Sequence, residues 1–142
     1  MVRTALHQGI LLMSTMLEDE KAIRELLAAY CFCVDRGDAD AFVELFTEDG
    51  VCDRGPWGRA EGRRALHEYI SASVGSREVK ARHLSANEVV SITRDTAAAR
   101  SYVLVMNISC SPPVPLVVGH YEDQFVKTGG RWLFKSRCLR NE

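Results

Sequence analysis

The feature that most constrains this chain is a change of texture near Lys80: apolar residues recur at helical spacing before it and in β-branched and aromatic runs after it. Thr15-Met16-Leu17-Glu18 fits a capping box, and behind it Ile23, Leu26, Leu27, Tyr30 and Val34 fall on one helical face. Gly37 is a natural helix stop, and Asp38 can cap a second helix that turns Phe42, Leu45 and Phe46 inward. Asp49-Gly50 reads as a turn before a short strand over residues 51–53. Gly55-Pro56-Trp57-Gly58 then breaks regular structure ahead of a third helix over residues 61–74, which presents Leu66, Tyr69 and Ile70. The remainder predicts four long antiparallel strands over residues 79–92, 96–109, 116–127 and 132–139. Arg94-Asp95 and Gly129-Gly130 supply tight turns, and Ser111-Pro112-Pro113-Val114-Pro115 a stiffer connection. Helices followed by a meander of strands indicate an α+β fold in which a strongly curved sheet wraps three helices and encloses a pocket.

At 142 residues, with 46% hydrophobic and 26% charged side chains, one domain over residues 17–142 can bury its own core, and residues 1–16 read as a flexible N-terminal tail. A net charge of -1 without a Lys/Arg run leaves nothing to track a phosphate backbone, so no nucleic acid is expected. The apolar stretch near the start is too short for a signal-peptide core or a membrane span. Five cysteines form neither a C-x-x-C pair nor an even framework, which fits reduced thiols in a cytoplasmic protein. Cys31 and Cys33 stand roughly 200° apart around a helix, so they are read as packing residues rather than a metal chelate. Histidine and carboxylate spacings match no metal motif, and no glycine loop sits in a strand-to-helix context that would cradle a phosphate. Neither a metal nor a cofactor is expected. The run Tyr102-Val103-Leu104-Val105-Met106 does not alternate strictly, which predicts that both sheet faces are covered, one by the helices and one by a second subunit in a homodimer.

Three residues invite a chemical reading. Asp35 stands in the last turn of its helix, where the macrodipole disfavours a carboxylate by a few tenths to ~1 kcal/mol, so either a pair with Arg36 or a function should account for it. Tyr30 lies on the apolar stripe about one and a half turns earlier. His83, Ser85 and Asn87 share a strand face by period two, either as a polar pocket wall or as an exposed edge. Asn107 closes the next apolar run, and His120 and Glu122 share a face on the strand after it. His67, beside Glu68, reads as a surface position.

Taken in order, Tyr30, Val34-Asp35-Arg36-Gly37-Asp38, Phe42, Leu45-Phe46-Thr47-Glu48-Asp49-Gly50, Gly62, Arg82-His83, Gly119-His120-Tyr121 and Gly130-Arg131-Trp132 resemble the SnoaL-like branch of the nuclear-transport-factor-2-like superfamily. The resemblance runs roughly from Leu17 to Arg140 and implies a cone-shaped α+β barrel. Its closest pattern is that of scytalone dehydratase and the bacterial bile-acid dehydratases. It implies His83 as general base and acid, Asp35 as the group that orients its ring, and Tyr30 as donor to a substrate carbonyl or hydroxyl. Those dehydratases carry a further ionisable residue where Asn107 stands, and Asn107 can hold a substrate oxygen without exchanging its proton. His120 is the residue that can compensate. The implied activity is a cofactor-free dehydratase-like lyase or isomerase on a hydrophobic oxygenated molecule of aromatic, polyketide or steroid type. The same fold also hosts non-catalytic ligand-binding proteins and small subunits of aromatic-ring oxygenases.

Overall fold

A computed structural model describes residues 2–75 and 79–141. Met1 and Glu142, which the expected tail and domain include, lie outside the described residues, as does the side chain of His7. Helix α1 (Val2–Arg36) leads to a short α2 (Ala39–Val43), then β1 (Phe46–Asp53), a 3-10 turn (Gly55–Trp57), β2 (Arg59–Glu61) and α3 (Arg63–Gly75). Strands β3 (Ala81–Thr93), β4 (Thr96–Asn107), β5 (Val114–Thr128) and β6 (Arg131–Asn141) complete one six-stranded sheet in the order β2-β1-β6-β5-β4-β3. Every pairing is antiparallel except β1 with β6. The α+β architecture is therefore the expected one: three helices against a mixed, mostly antiparallel sheet.

The boundaries depart from the sequence reading at three places. First, α1 does not begin at Thr15: the Thr15 hydroxyl donates back to the Leu11 carbonyl at 2.9 Å, a bond made inside a helix, and the helix continues upstream to Val2. Ile10 to Met13, Met16 and Leu17 are exposed on this extension. Second, Asp49-Gly50 is part of β1, whose register against β6 slips between Phe46 and Val51. A Cβ at Gly50 would sit 2.8 Å from the Phe46 Cβ, so the bulge requires glycine and mimics a turn signal. Third, Asn87 does not share the His83 face: it takes φ 59° at a register shift between Ala86 and Val89, and the alternation resets there. Gly37 at φ 70° ends α1, and Asp38 accepts from the Ala41 backbone N–H at 3.0 Å to cap α2, both as expected.

The core forms where the apolar stripe of α1 meets the concave sheet. Ile23, Leu27, Tyr30 and Val34 are at most 1% exposed. Tyr30 is ringed by Phe42, Phe46, Tyr121 and Phe134 at centroid distances of 5.5 to 6.5 Å. Farther up α1, Asp19 accepts from Lys127 and from the Trp132 indole, each at 2.8 Å, which fastens the helix to the β5–β6 hairpin. Cys31 and Cys33 are buried, as packing residues should be, and all five cysteines are unpaired. Among the described residues, no helix is long and apolar enough to cross a membrane.

Within this core lies a charge pair. Arg137 on β6 and Asp123 on β5 are register partners with side chains 0% exposed, and Arg137 Nε stands 3.5 Å from Asp123 Oδ1. The guanidinium is sandwiched between the Tyr121 and Tyr30 rings, 3.6 and 4.1 Å from their centroids, so aromatic faces supply much of its stabilisation. The carboxylate oxygens and the guanidinium nitrogens make no hydrogen bond to a described residue. Burial pushes the Asp123 carboxyl up to about 6 despite the opposing charge of Arg137. Against an unfolded value of ~3.9, the native protein binds more protons between these two pH values. The stability contributed by the protonated carboxyl is thus complete below pH ~4 and is lost as pH rises through the folded value. Urea unfolding across pH 4 to 7 should show the wild type losing about 2 kcal/mol relative to Asp123→Asn, whose side chain cannot ionise. Parallel pH profiles for the two proteins would mean that Asp123 titrates as an ordinary carboxylate.

Candidate active site

The end of α1 is tied to the start of the meander by one carboxylate. Asp35 accepts from the His83 backbone N–H, 3.2 Å from each oxygen, and its Oδ1 is 2.7 Å from His83 Nδ1. The side chains are 8% and 10% exposed, so this contact is largely withdrawn from water. Arg36 turns away and stacks on Phe32, 5.9 Å from its centroid, so Asp35 is not a surface partner of Arg36. The two donors on β3 offset the unfavourable position of a carboxylate at a helix C-terminus. They also set the histidine tautomer. An ionised carboxylate only accepts, so Nδ1 carries the proton in the neutral ring and Nε2 is left with a free lone pair.

His83 lines a cavity of about 620 Å³, large enough for a multi-ring small molecule. Val105, Leu116, Val117 and Leu139 give it apolar walls, while Arg54, Tyr69 and Tyr121 supply the other polar groups that matter. Two of the expected site residues, Asp35 and His83, meet as the resemblance implied. The other three do not join them. Tyr30 is 1% exposed, lies outside the cavity lining, and places its hydroxyl 3.7 Å from Cys52 Sγ. Asn107 is absent from the lining as well: its Oδ1 accepts from the Ser109 backbone N–H at 2.8 Å and holds the turn that follows β4. His120 points to the opposite sheet face, 3.7 Å from Glu122 Oε1, because the inward positions of β5 are Gly119, Tyr121, Asp123 and Phe125. Ser85, the other expected wall residue, donates to Ser101 at 3.1 Å. His67 is a surface residue, as read from the sequence, and it pairs with Asp40.

Tyr121 is the phenol that the sequence reading missed. It lines the cavity, and its hydroxyl makes no hydrogen bond to any described residue. Burial pushes its hydroxyl up to about 12 even though Arg137 lies against the ring, so it remains a proton-bearing donor at every physiological pH. Its inward parity with Phe125 was available in the sequence, but the buried charge of Asp123 between them disguised the pattern. Arg54 and Tyr69 were hidden in a different way. They come together through the 3-10 turn: Arg54 Nε donates to the Tyr69 hydroxyl, which itself donates to the Trp57 carbonyl at 2.9 Å. Among the described residues, no three His, Cys, Asp or Glu side chains form a metal-ligating group.

The chain's relatives agree with this architecture. A Mycobacterium tuberculosis protein of unknown function is 29% identical, with a TM-score of 0.83 over 92% of this chain and 75% of that one. A nuclear-transport-factor-2-like protein with a cystatin-like fold from Novosphingobium aromaticivorans is 28% identical, with a TM-score of 0.85 over 93% and 87%. A candidate scytalone dehydratase from the same organism is 27% identical, with a TM-score of 0.79 over 92% and 88%. No functionally curated protein matches the chain. The model of the SnoaL-like domain matches residues 15–138, and the chain therefore belongs to the SnoaL-like domain family.

Proposed function

We propose that this protein is a cofactor-free lyase or isomerase of the dehydratase type, acting on a hydrophobic oxygenated small molecule with aromatic, polyketide or steroid character. The observation that carries this reading is the Asp35–His83 contact at the wall of an apolar cavity. His83 Nε2 removes a proton from the carbon alpha to a substrate carbonyl, and the C–H electron pair becomes the enolate. Tyr121 donates to the carbonyl oxygen as negative charge develops there, taking the role that the resemblance gave to Tyr30. When the enolate collapses, the C–O bond at the beta carbon breaks, and the imidazolium passes its proton to the departing hydroxyl. Water leaves, the double bond forms, and His83 returns to its neutral state. Asp35 acts through His83, holding the ring and stabilising the transient imidazolium. The similarity to a candidate scytalone dehydratase supports the same class of chemistry. The five unpaired thiols fit a reducing, cytoplasmic location.

We also propose that the outer sheet face pairs with a second copy of the chain. Leu84, Leu104 and Val118 are register neighbours across β3, β4 and β5, with Tyr102 beside them, and they are 51%, 36%, 52% and 62% exposed. A contiguous apolar strip of this kind on a small protein marks an interface. Light scattering at micromolar concentration should give twice the 15.9 kDa chain mass. The paired change Leu104→Lys and Val118→Lys should halve that mass, whereas a monomeric wild type rejects the interface.

The chemistry is tested by proton exchange, which precedes elimination and does not require the natural leaving group. With bicyclic aromatic ketones in deuterated water, the wild type should accelerate exchange alpha to the carbonyl. His83→Ala should lower that rate by about 10²- to 10⁴-fold. Tyr121→Phe should lower it by a smaller factor, with Tyr30→Phe closer to wild type. An unchanged rate in a folded His83→Ala protein removes His83 from the mechanism.

A further inference from the structure

Arg54 is a cation at the wall of an apolar cavity with no anion to answer it. It is half-buried at the end of β1, and among the described residues it forms no ion pair. Its side chain makes one hydrogen bond to a described residue, from Nε to the Tyr69 hydroxyl, and its guanidinium carbon lies 4.2 Å from the centroid of the Tyr69 ring. Tyr69 is fixed in turn by donating to the Trp57 carbonyl at 2.9 Å. The guanidinium is therefore stacked and held from one edge, while the two terminal nitrogens that form its bidentate fork make no bond to a described residue. Taking a guanidinium partly out of water without a counter-charge is unfavourable; the Tyr69 ring offsets part of that cost, and an arriving anion would offset more.

Its position relative to His83 follows from the sheet. Arg54 follows β1 and His83 lies on β3, with β6, β5 and β4 between those strands. Both residues line the same cavity, so the curvature of the sheet brings these two distant strands to one space. A molecule held by Arg54 would therefore share its cavity with His83. Trp57 at the same wall, 48% exposed, offers an aromatic face.

We propose that Arg54 is a carboxylate-binding residue, and that the ligand of this cavity is a ring-bearing, hydrophobic carboxylic acid whose acid group sits on the guanidinium fork. This rests on the cavity being the ligand site and is independent of whether His83 moves a proton. It deepens the functional reading: the carboxylate would anchor the molecule remote from the reacting carbon, so its binding energy serves orientation.

The test is a binding measurement with a matched pair of probes, 2-naphthoate and its uncharged analogue 2-naphthamide, titrated calorimetrically into the wild-type protein. The wild type should bind the carboxylate at least about tenfold more tightly than the amide, the factor expected for one charge-assisted bidentate contact. Arg54→Met keeps the apolar stem and should erase that preference while leaving amide affinity within about threefold. His83→Asn, which removes the other group able to become cationic in the cavity, should retain the preference. Equal or weaker binding of the carboxylate by the wild type overturns the proposal, as does failure of both probes to bind at millimolar concentration. An Arg54→Met protein that loses both probes alike shows that the residue only braces Tyr69 and the 3-10 turn. A preference that vanishes with His83→Asn but survives Arg54→Met assigns the anion to His83 instead. Because proton exchange is not read, failure here leaves the acid/base reading standing, and failure of exchange leaves this one standing.

Discussion

The molecule depends on how the last turn of α1 is satisfied. A carboxylate there faces the negative end of the helix dipole, and Asp35 is stable because β3 delivers a backbone N–H and an imidazole nitrogen to it from 48 residues away. The contact serves fold and site together. It joins the helix that fills the sheet's concave face to β3, the strand at one edge of the sheet, and it fixes which nitrogen of His83 is free. Any alternative partner for Asp35, such as Arg36 in solvent, would leave the ring free to rotate and the junction between helix and sheet weaker.

A second constraint is strand parity. On β5 one step separates Tyr121, inside the cavity, from His120 on the outer face, and the difference is a matter of phase alone. The sequence makes the order of elements legible because helical spacing and β-branched runs are local signals. Gly37 and Asp38 are legible for the same reason, since a stop and a cap act within a few residues. Parity is less legible where a bulge resets it. At Asn87 the chain takes a positive φ and the faces exchange, so the apparent alignment of His83, Ser85 and Asn87 breaks after Ser85. Asp35 and His83 were identifiable because an ill-placed carboxylate and a strand histidine each demanded an explanation, and the family resemblance joined them. Tyr30 shows the limit of that resemblance. Its place on the apolar stripe was correctly read, but the stripe leads its hydroxyl to Cys52 rather than into the cavity.

What no local signal reports is the ion pair behind the site. Arg137 and Asp123 are charged residues on strands, where a surface position is the usual expectation. Both are buried because the curved sheet turns that face inward and because three aromatic rings are there to receive the guanidinium. Those rings come from α1, β5 and β6, and only the tertiary fold assembles them. Arg54 and Tyr69 are a smaller instance: fifteen residues apart, separated by a Gly-Pro break and belonging to different elements, they stack on one another through the 3-10 turn.

The two cations divide the cavity's electrostatics between them. Arg137 lies behind Tyr121 and meets the cavity only through the ring it stacks on, so its charge acts on the phenol rather than on a ligand. Its field opposes the burial that holds the Tyr121 proton and so favours developing negative charge next to that hydroxyl. Arg54 lines the cavity directly and keeps its fork uncommitted. An enolate forming near Tyr121 would thus develop beside the Arg137–Asp123 pair, whose positive end lies against the Tyr121 ring and which the substrate never touches. A carboxylate bound at Arg54 would neutralise the other charge before the reaction begins. The separation matters because a single exposed guanidinium cannot do both: once it has paired with a carboxylate in the ground state, it has little left to offer an oxyanion in the transition state. Placing one arginine in the wall and the other behind a tyrosine lets binding and rate respond to different residues.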